Sequence, residues 1–90
     1  MDIEYDAKKQ ALTLEHRGLD LAHAGQVFES VTVTVEDDRV DYGETRYQTI
    51  GRLGRKTVMV VWTPRAGARR IISMRECNGR ERKAYQDAVG

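Results

Sequence analysis

The chain has 90 residues, enough for one domain with a modest core that buries about 60 to 70% of the unfolded surface. A single cysteine, Cys77, excludes an internal disulfide and a four-thiolate zinc site, and points to a reducing, cytoplasmic setting. Net charge is only +1, but residues 1–50 hold five Lys/Arg against eleven Asp/Glu, whereas residues 51–90 hold ten against three. A −6 half joined to a +7 half predicts a polyanionic or acidic partner for the second, unless the two neutralise each other in the fold. No apolar run approaches the ~20 residues that span a bilayer, and the opening MDIEYDAKKQ is too polar for a signal peptide, so no membrane partner is expected.

Ile3–Tyr5 reads as a short edge strand or an extended arm. Asp6 is an N-cap for a helix over Ala7–Arg17, with Ala7, Ala11 and Leu14 at i, i+4 and i+7 on one face, and Gly18 ends it at C′. Asp20 caps a second helix whose buried stripe is Leu21, Ala24, Val27 and Phe28, weakened by Gly25 at a cost of about 1 kcal/mol relative to Ala. Val31–Val35 alternates strictly and predicts a strand with one buried face. Glu36 to Glu44 is a charged connection, Arg46–Leu53 another strand, and Gly54-Arg55 a tight turn. A central hairpin follows, from Thr57 through Trp62, a core residue, around Pro64-Arg65-Ala66-Gly67 and into Ile71-Ile72. Asn78 as N-cap and Glu81 as its capping-box partner open a last helix, Gly79–Ala88.

The order β-α-α-β-β-β-β-α predicts one α+β domain over residues 1–90. Its sheet is expected to be an antiparallel meander of four main strands plus the short N-terminal one. Two N-terminal helices pack on that sheet, the C-terminal helix closes the domain, and one sheet face stays open.

No metal-ligand spacing, glycine-rich phosphate loop or Ser-His-Asp order is present, and no cofactor is expected. His23 reads as a surface residue, and His16, at a helix C-terminus, as a group whose charged form the helix dipole favours. Period two puts Arg69, Ile71, Ser73 and Arg75 on one face of the last strand, with Ile72 and Met74 on the other. Arg75 and Arg80 would then meet at the start of the final helix, where guanidinium groups and free N–H groups suit phosphate. Arg52, Arg70, Arg82 and Lys83 would widen that patch, with Arg46 as a further substrate-binding residue; the alternative is an ordinary solvated face paired with Glu76 and Glu81. Tyr85 either stacks on a base or fills the core. Were the substrate RNA, no metal would be required: arginine would stabilise the phosphorane, and His16, Glu81 or Tyr85 could exchange protons with the 2′-hydroxyl and the leaving 5′-oxygen, a scheme that the composition permits without demanding it. A direct DNA reader fits poorly, because no recognition-helix motif appears.

Taken in order, Glu4-Tyr5-Asp6, His16-Arg17-Gly18, Ala24 to Phe28, Glu36 to Arg46, Ile50 to Arg55, Trp62 to Arg65, Arg70 to Arg75, Arg80-Glu81 and Tyr85 resemble the BrnT family of toxins. The resemblance implies a RelE-like fold and a ribonuclease that arrests translation. It also implies neutralisation by a BrnA antitoxin, a ribbon-helix-helix protein, in a 2:2 heterotetramer that represses its own operon. The chain departs from the family pattern in two places. Where the family carries N-x-x-K-H-G at the end of the first helix, this chain has Thr13, His16, Arg17 and Gly18, which displaces the imidazole by one residue. Where the family continues after RIISMR with a lysine, this chain has Glu76, a charge reversal expected to attenuate activity. The competing expectation is a weak or inactive homologue that serves as antitoxin-binding partner and co-repressor.

Overall fold

The computed structural model describes residues 2–90; Met1 of the expected 1–90 domain lies outside them. Five strands form one sheet: β1 (Asp2–Glu4), β2 (Val33–Glu36), β3 (Tyr47–Leu53), β4 (Lys56–Arg65) and β5 (Ala68–Glu76), in the spatial order β1-β5-β4-β3-β2. The expected meander holds from β2 to β5, but β1 runs parallel to β5, pairing Asp2–Glu4 with Ala68–Arg70, so the sheet is mixed. The helices are α1 (Ala7–Arg17), α2 (Ala24–Glu29) and α3 (Gly79–Val89). None is long and apolar enough to cross a membrane.

Local chemistry sets the ends of α1: Asp6 accepts from the amides of Lys8 and Lys9, and Gly18 sits left-handed at φ 66. The packing expected of α1 is absent, since none of its residues is buried and Leu14 is half exposed. Instead α1 lies along β5 beyond the reach of β1, where Lys9 Nζ donates to the Ile72 carbonyl (2.8 Å) and Arg17 Nη1 to that of Met74 (2.9 Å). Polar groups thus cover an edge that would otherwise expose unpaired backbone. The expected second helix is shorter than its apolar stripe suggests: a single 3-10 turn, Leu21–His23, precedes a six-residue α2.

The core lies between α2 with its preceding turn and one sheet face, and holds Leu19, Leu21, Ala24, Val27, Val58, Val60, Trp62, Ile71 and Met74. Close approach of α2 to β3 requires Gly51, where a Cβ would come within 2.7 Å of Ser30 Oγ. The hairpin turn is tighter than the four residues expected. Pro64 and Arg65 remain in β4, and only Ala66 (φ 51) and Gly67 (φ 81) turn the chain, both at the positive φ of a two-residue type I′ loop.

The face assignment on β5 needs correction. Val61 pairs with Ser73 and Trp62 with Ile71, which leaves Ile72 as an extra residue, a β-bulge. Alternation changes phase there, so Arg69 and Ile71 share the core face with Met74, while Arg70, Ser73 and Arg75 share the opposite one. Arg69 accordingly lies over the Phe28 ring (4.0 Å to the centroid) and beside Trp62 (5.2 Å), inside the helix layer.

Candidate active site

On the face away from α2, the cap of α3 builds a rigid charged pair. Asn78 Oδ1 accepts from the Glu81 amide (2.9 Å), and Glu81 Oε1 accepts from the Asn78 amide (3.0 Å), the capping box foreseen in the sequence. The same carboxylate takes both ends of the Arg75 fork, at 2.8 Å from Nη1 and 2.7 Å from Nη2. The Arg75 hydrogen bond, aided by the Asn78 amide and opposed by burial, holds the Glu81 carboxyl well down, to about 2. Its partner's guanidinium is correspondingly harder to deprotonate, chiefly through the Glu81 hydrogen bond. A carboxylate this acidic is a poor proton acceptor at neutral pH. Glu81 therefore positions Arg75, whose side chain stays 41% exposed.

The remaining expected site residues scatter. Arg80 is exposed and its side chain has no hydrogen bond or ion pair among the described residues, so nothing joins it to Arg75. Arg82 turns back to donate to the Cys77 carbonyl (2.8 Å). His16 lines a groove of about 290 Å³ between α1 and β5, together with Thr13, Arg17 and Ser73, and Ser73 shares the face of Arg75. Tyr85 resolves to its core alternative: it is buried, its hydroxyl donates to the Val31 carbonyl, and with Arg52 it lines a separate groove at the far end of α3. Arg46 and Arg70 lie in another cleft, with Lys9 and Arg65. Glu76 alternates to the face opposite Arg75 and reaches Lys56 Nζ at 3.9 Å, while burial pushes the neighbouring Cys77 thiol up to about 11. Among the described residues no group of three His, Cys, Asp or Glu side chains gathers to hold a metal.

Arg39, in the charged connection from Glu36 to Glu44, is not among the residues expected at the site. Its guanidinium chelates the buried Asp37 at 2.7 and 2.8 Å, and its charge works against that of Arg75. An aspartate inside the acidic run Glu36-Asp37-Asp38 gives no periodic sign of burial, so Asp37 carried no usable signal in the sequence.

The mixed sheet thus presents the Glu81-clamped Arg75 on the same face as Ser73, which lines the separate groove that holds His16. The family model for the ribonuclease toxin, BrnT, of type II toxin–antitoxin systems matches residues 5–81, a span that takes in His16, Arg75, Arg80 and Glu81 but ends before Arg82 and Tyr85. That class of protein implies an antitoxin partner. The chain belongs to the BrnT family. No curated protein matches it.

Proposed function

We propose that this chain is a metal-independent endoribonuclease of RelE-like type that cleaves mRNA in the cytoplasm and so inhibits translation. A BrnA-type antitoxin neutralises it in a 2:2 complex that reaches operator DNA through the antitoxin. The observation that carries this reading is the Arg75 guanidinium, clamped in one orientation by Glu81 yet half exposed on the open sheet face. A preoriented cation costs no reorganisation as charge develops on a phosphorane. In the step, the 2′-oxygen forms a bond to phosphorus and the bond to the 5′-oxygen breaks, giving a 2′,3′-cyclic phosphate and a 5′-hydroxyl. The proton lost from the 2′-hydroxyl passes to a base, and another is supplied to the leaving oxygen. His16, across a groove from Ser73, is the group best suited to these transfers, because Glu81 is too acidic and Tyr85 commits its hydroxyl to Val31. The placement of Glu76 on Lys56 gives its expected attenuating role no support, and Glu76→Lys is expected to change cleavage by less than about threefold.

The test is incubation of the purified chain with RNA in EDTA, followed by analysis of fragment ends. Cyclic phosphate ends that Arg75→Ala reduces about 100-fold or more support the reading. One observation favours the second reading, an inactive antitoxin-binding co-repressor: both terminal nitrogens of Arg75 are already spent on Glu81. Intact RNA together with tight antitoxin binding would establish that alternative.

A further inference from the structure

The bulge at Ile72 has a consequence for substrate binding. Five positions apart, Arg70 and Arg75 would face opposite ways on a regular strand; the extra residue turns them to the same side, opposite Thr63 and Met59 of the regular β4. Thr63 and Met59 stand about 13 Å apart along that strand, so the two guanidinium groups mark the ends of a track longer than one phosphodiester. At its far end lies a cleft of about 370 Å³ whose lining includes Lys9, Arg46, Arg65 and Arg70.

Its two acids are occupied. Asp6 accepts from the amides of Lys8 (2.8 Å) and Lys9 (3.1 Å), and Glu44 pairs with Arg46 (3.1 Å) and Arg65 (4.0 Å). Lys9 Nζ donates to the Ile72 carbonyl, and Arg46 stacks on Tyr42 at 3.9 Å. The Arg70 side chain has no hydrogen bond or ion pair among the described residues, although the cleft surrounds it with three other cations. A cleft holding four cations and two committed carboxylates has a surplus of positive charge that an anion can neutralise.

We propose that this cleft is a remote phosphate subsite, which takes a backbone phosphate of the same single-stranded RNA whose scissile bond lies at Arg75. The assignment rests on the nuclease reading for its ligand, but its own content is two-point binding: the enzyme grips RNA at Arg70 and acts at Arg75. It makes the protein select oligonucleotides over a single phosphodiester without reading any base.

The test uses a 2′-O-methyl RNA hexamer, which cannot cleave itself, bound to wild type, Arg70→Gln, Arg70→Lys and Arg65→Gln over a range of salt. In parallel, cleavage of the unmodified hexamer is compared with that of a dinucleoside monophosphate. Loss of one phosphate contact makes the slope of log K against log salt shallower by about 0.7 in Arg70→Gln and again in the more exposed Arg65→Gln, with hexamer affinity about tenfold lower. Arg70→Lys recovers the slope. The cleavage loss is about tenfold greater for the hexamer than for the dinucleoside monophosphate. Unchanged hexamer binding in both glutamine variants overturns the subsite even where wild type cuts RNA. Equal losses on both cleavage substrates overturn it too, as does Arg70-dependent binding of polyglutamate by a protein that does not bind the hexamer. Conversely, a wild type that binds the hexamer through Arg70 but cuts nothing keeps the subsite and removes the nuclease reading.

Discussion

A carboxylate that a helix cap and a guanidinium both claim has little basicity left, and Glu81 is in that position. Its ordinary value of 4.5 falls to about 2 in the folded chain, so the unfolded chain takes up the proton first as pH drops. The stabilisation is fully present above 4.5 and is lost as pH falls through about 2. With Arg75 partly exposed, solvent screening reduces it to about 1 kcal/mol. Urea unfolding of wild type should therefore weaken by that amount across this window, and Glu81→Gln should flatten the acid limb; identical slopes would mean that the pair contributes nothing. Ala66 is the other residue whose environment dictates an outcome. A non-glycine residue at φ 51 in a type I′ turn is strained by about 1 kcal/mol, and asparagine tolerates that region better. Ala66→Asn should raise stability by about 0.5 kcal/mol, a shift of ~2–4 °C in thermal melting; a lower melting temperature would show the strain to be relieved elsewhere.

At the level of elements, the signals that carried over from sequence to structure were those with a local cause. Asp6, Gly18, Asn78 and Glu81 act through their own backbone neighbourhood, so the start and end of α1 and the start of α3 were legible residue by residue. What failed depended on distant partners. Alternation cannot announce a bulge, because Ile72 is chemically as suited to a regular strand as Ile71, and only the Trp62–Ile71 and Val60–Met74 pairs make the extra residue necessary. The candidate site suffered the same limit: the capping box made Glu81 legible, but Arg75 was expected to meet Arg80 and pairs with Glu81 instead, and Lys9 and Arg65 join Arg46 and Arg70 only after the sheet forms. The seating of α1 was also invisible, since its stripe of Ala7, Ala11 and Leu14 predicts burial and the helix is held by Lys9, Gln10 and Arg17 instead. A helix retained by side-chain hydrogen bonds from Lys9, Gln10 and Arg17, each worth about 1 kcal/mol, should open before the sheet does. Arg17→Met is expected to speed amide exchange across α1 by about fivefold while leaving β3 and β4 protected. Uniform loss of protection in all elements would mean that α1 is instead part of the global unfolding unit.

For the molecule as a whole, the question is whether the acidic and basic halves cancel. Among the described residues, the ion pairs Asp37–Arg39, Glu44–Arg46, Lys56–Glu76, Arg75–Glu81 and Lys83–Asp87 all form within one half, and only Arg65–Glu44, at 4.0 Å, joins the two. Close ion pairing therefore does little to cancel one half against the other, although Asp6 and Glu44 of the first half share a cleft with Arg65 and Arg70 of the second, and the unpaired cations of residues 51–90 are left for a partner. RNA and an acidic segment of an antitoxin would compete for that field, which makes inhibition an electrostatic contest. Raising ionic strength shortens the screening length from about 10 Å at 0.1 M toward about 3 Å at 1 M, so an antitoxin held mainly by this field releases the toxin as salt increases. The expected result is that the inhibitor's dissociation rate changes less than its association rate, because exposed charges steer encounter more than they hold the complex. Arg70→Gln and Arg65→Gln should each slow association at low salt about twofold and have no further effect at high salt. An association rate that is independent of salt in wild type would place the antitoxin on an apolar surface, such as the one around the exposed Val31 and Val89, and not on the basic half.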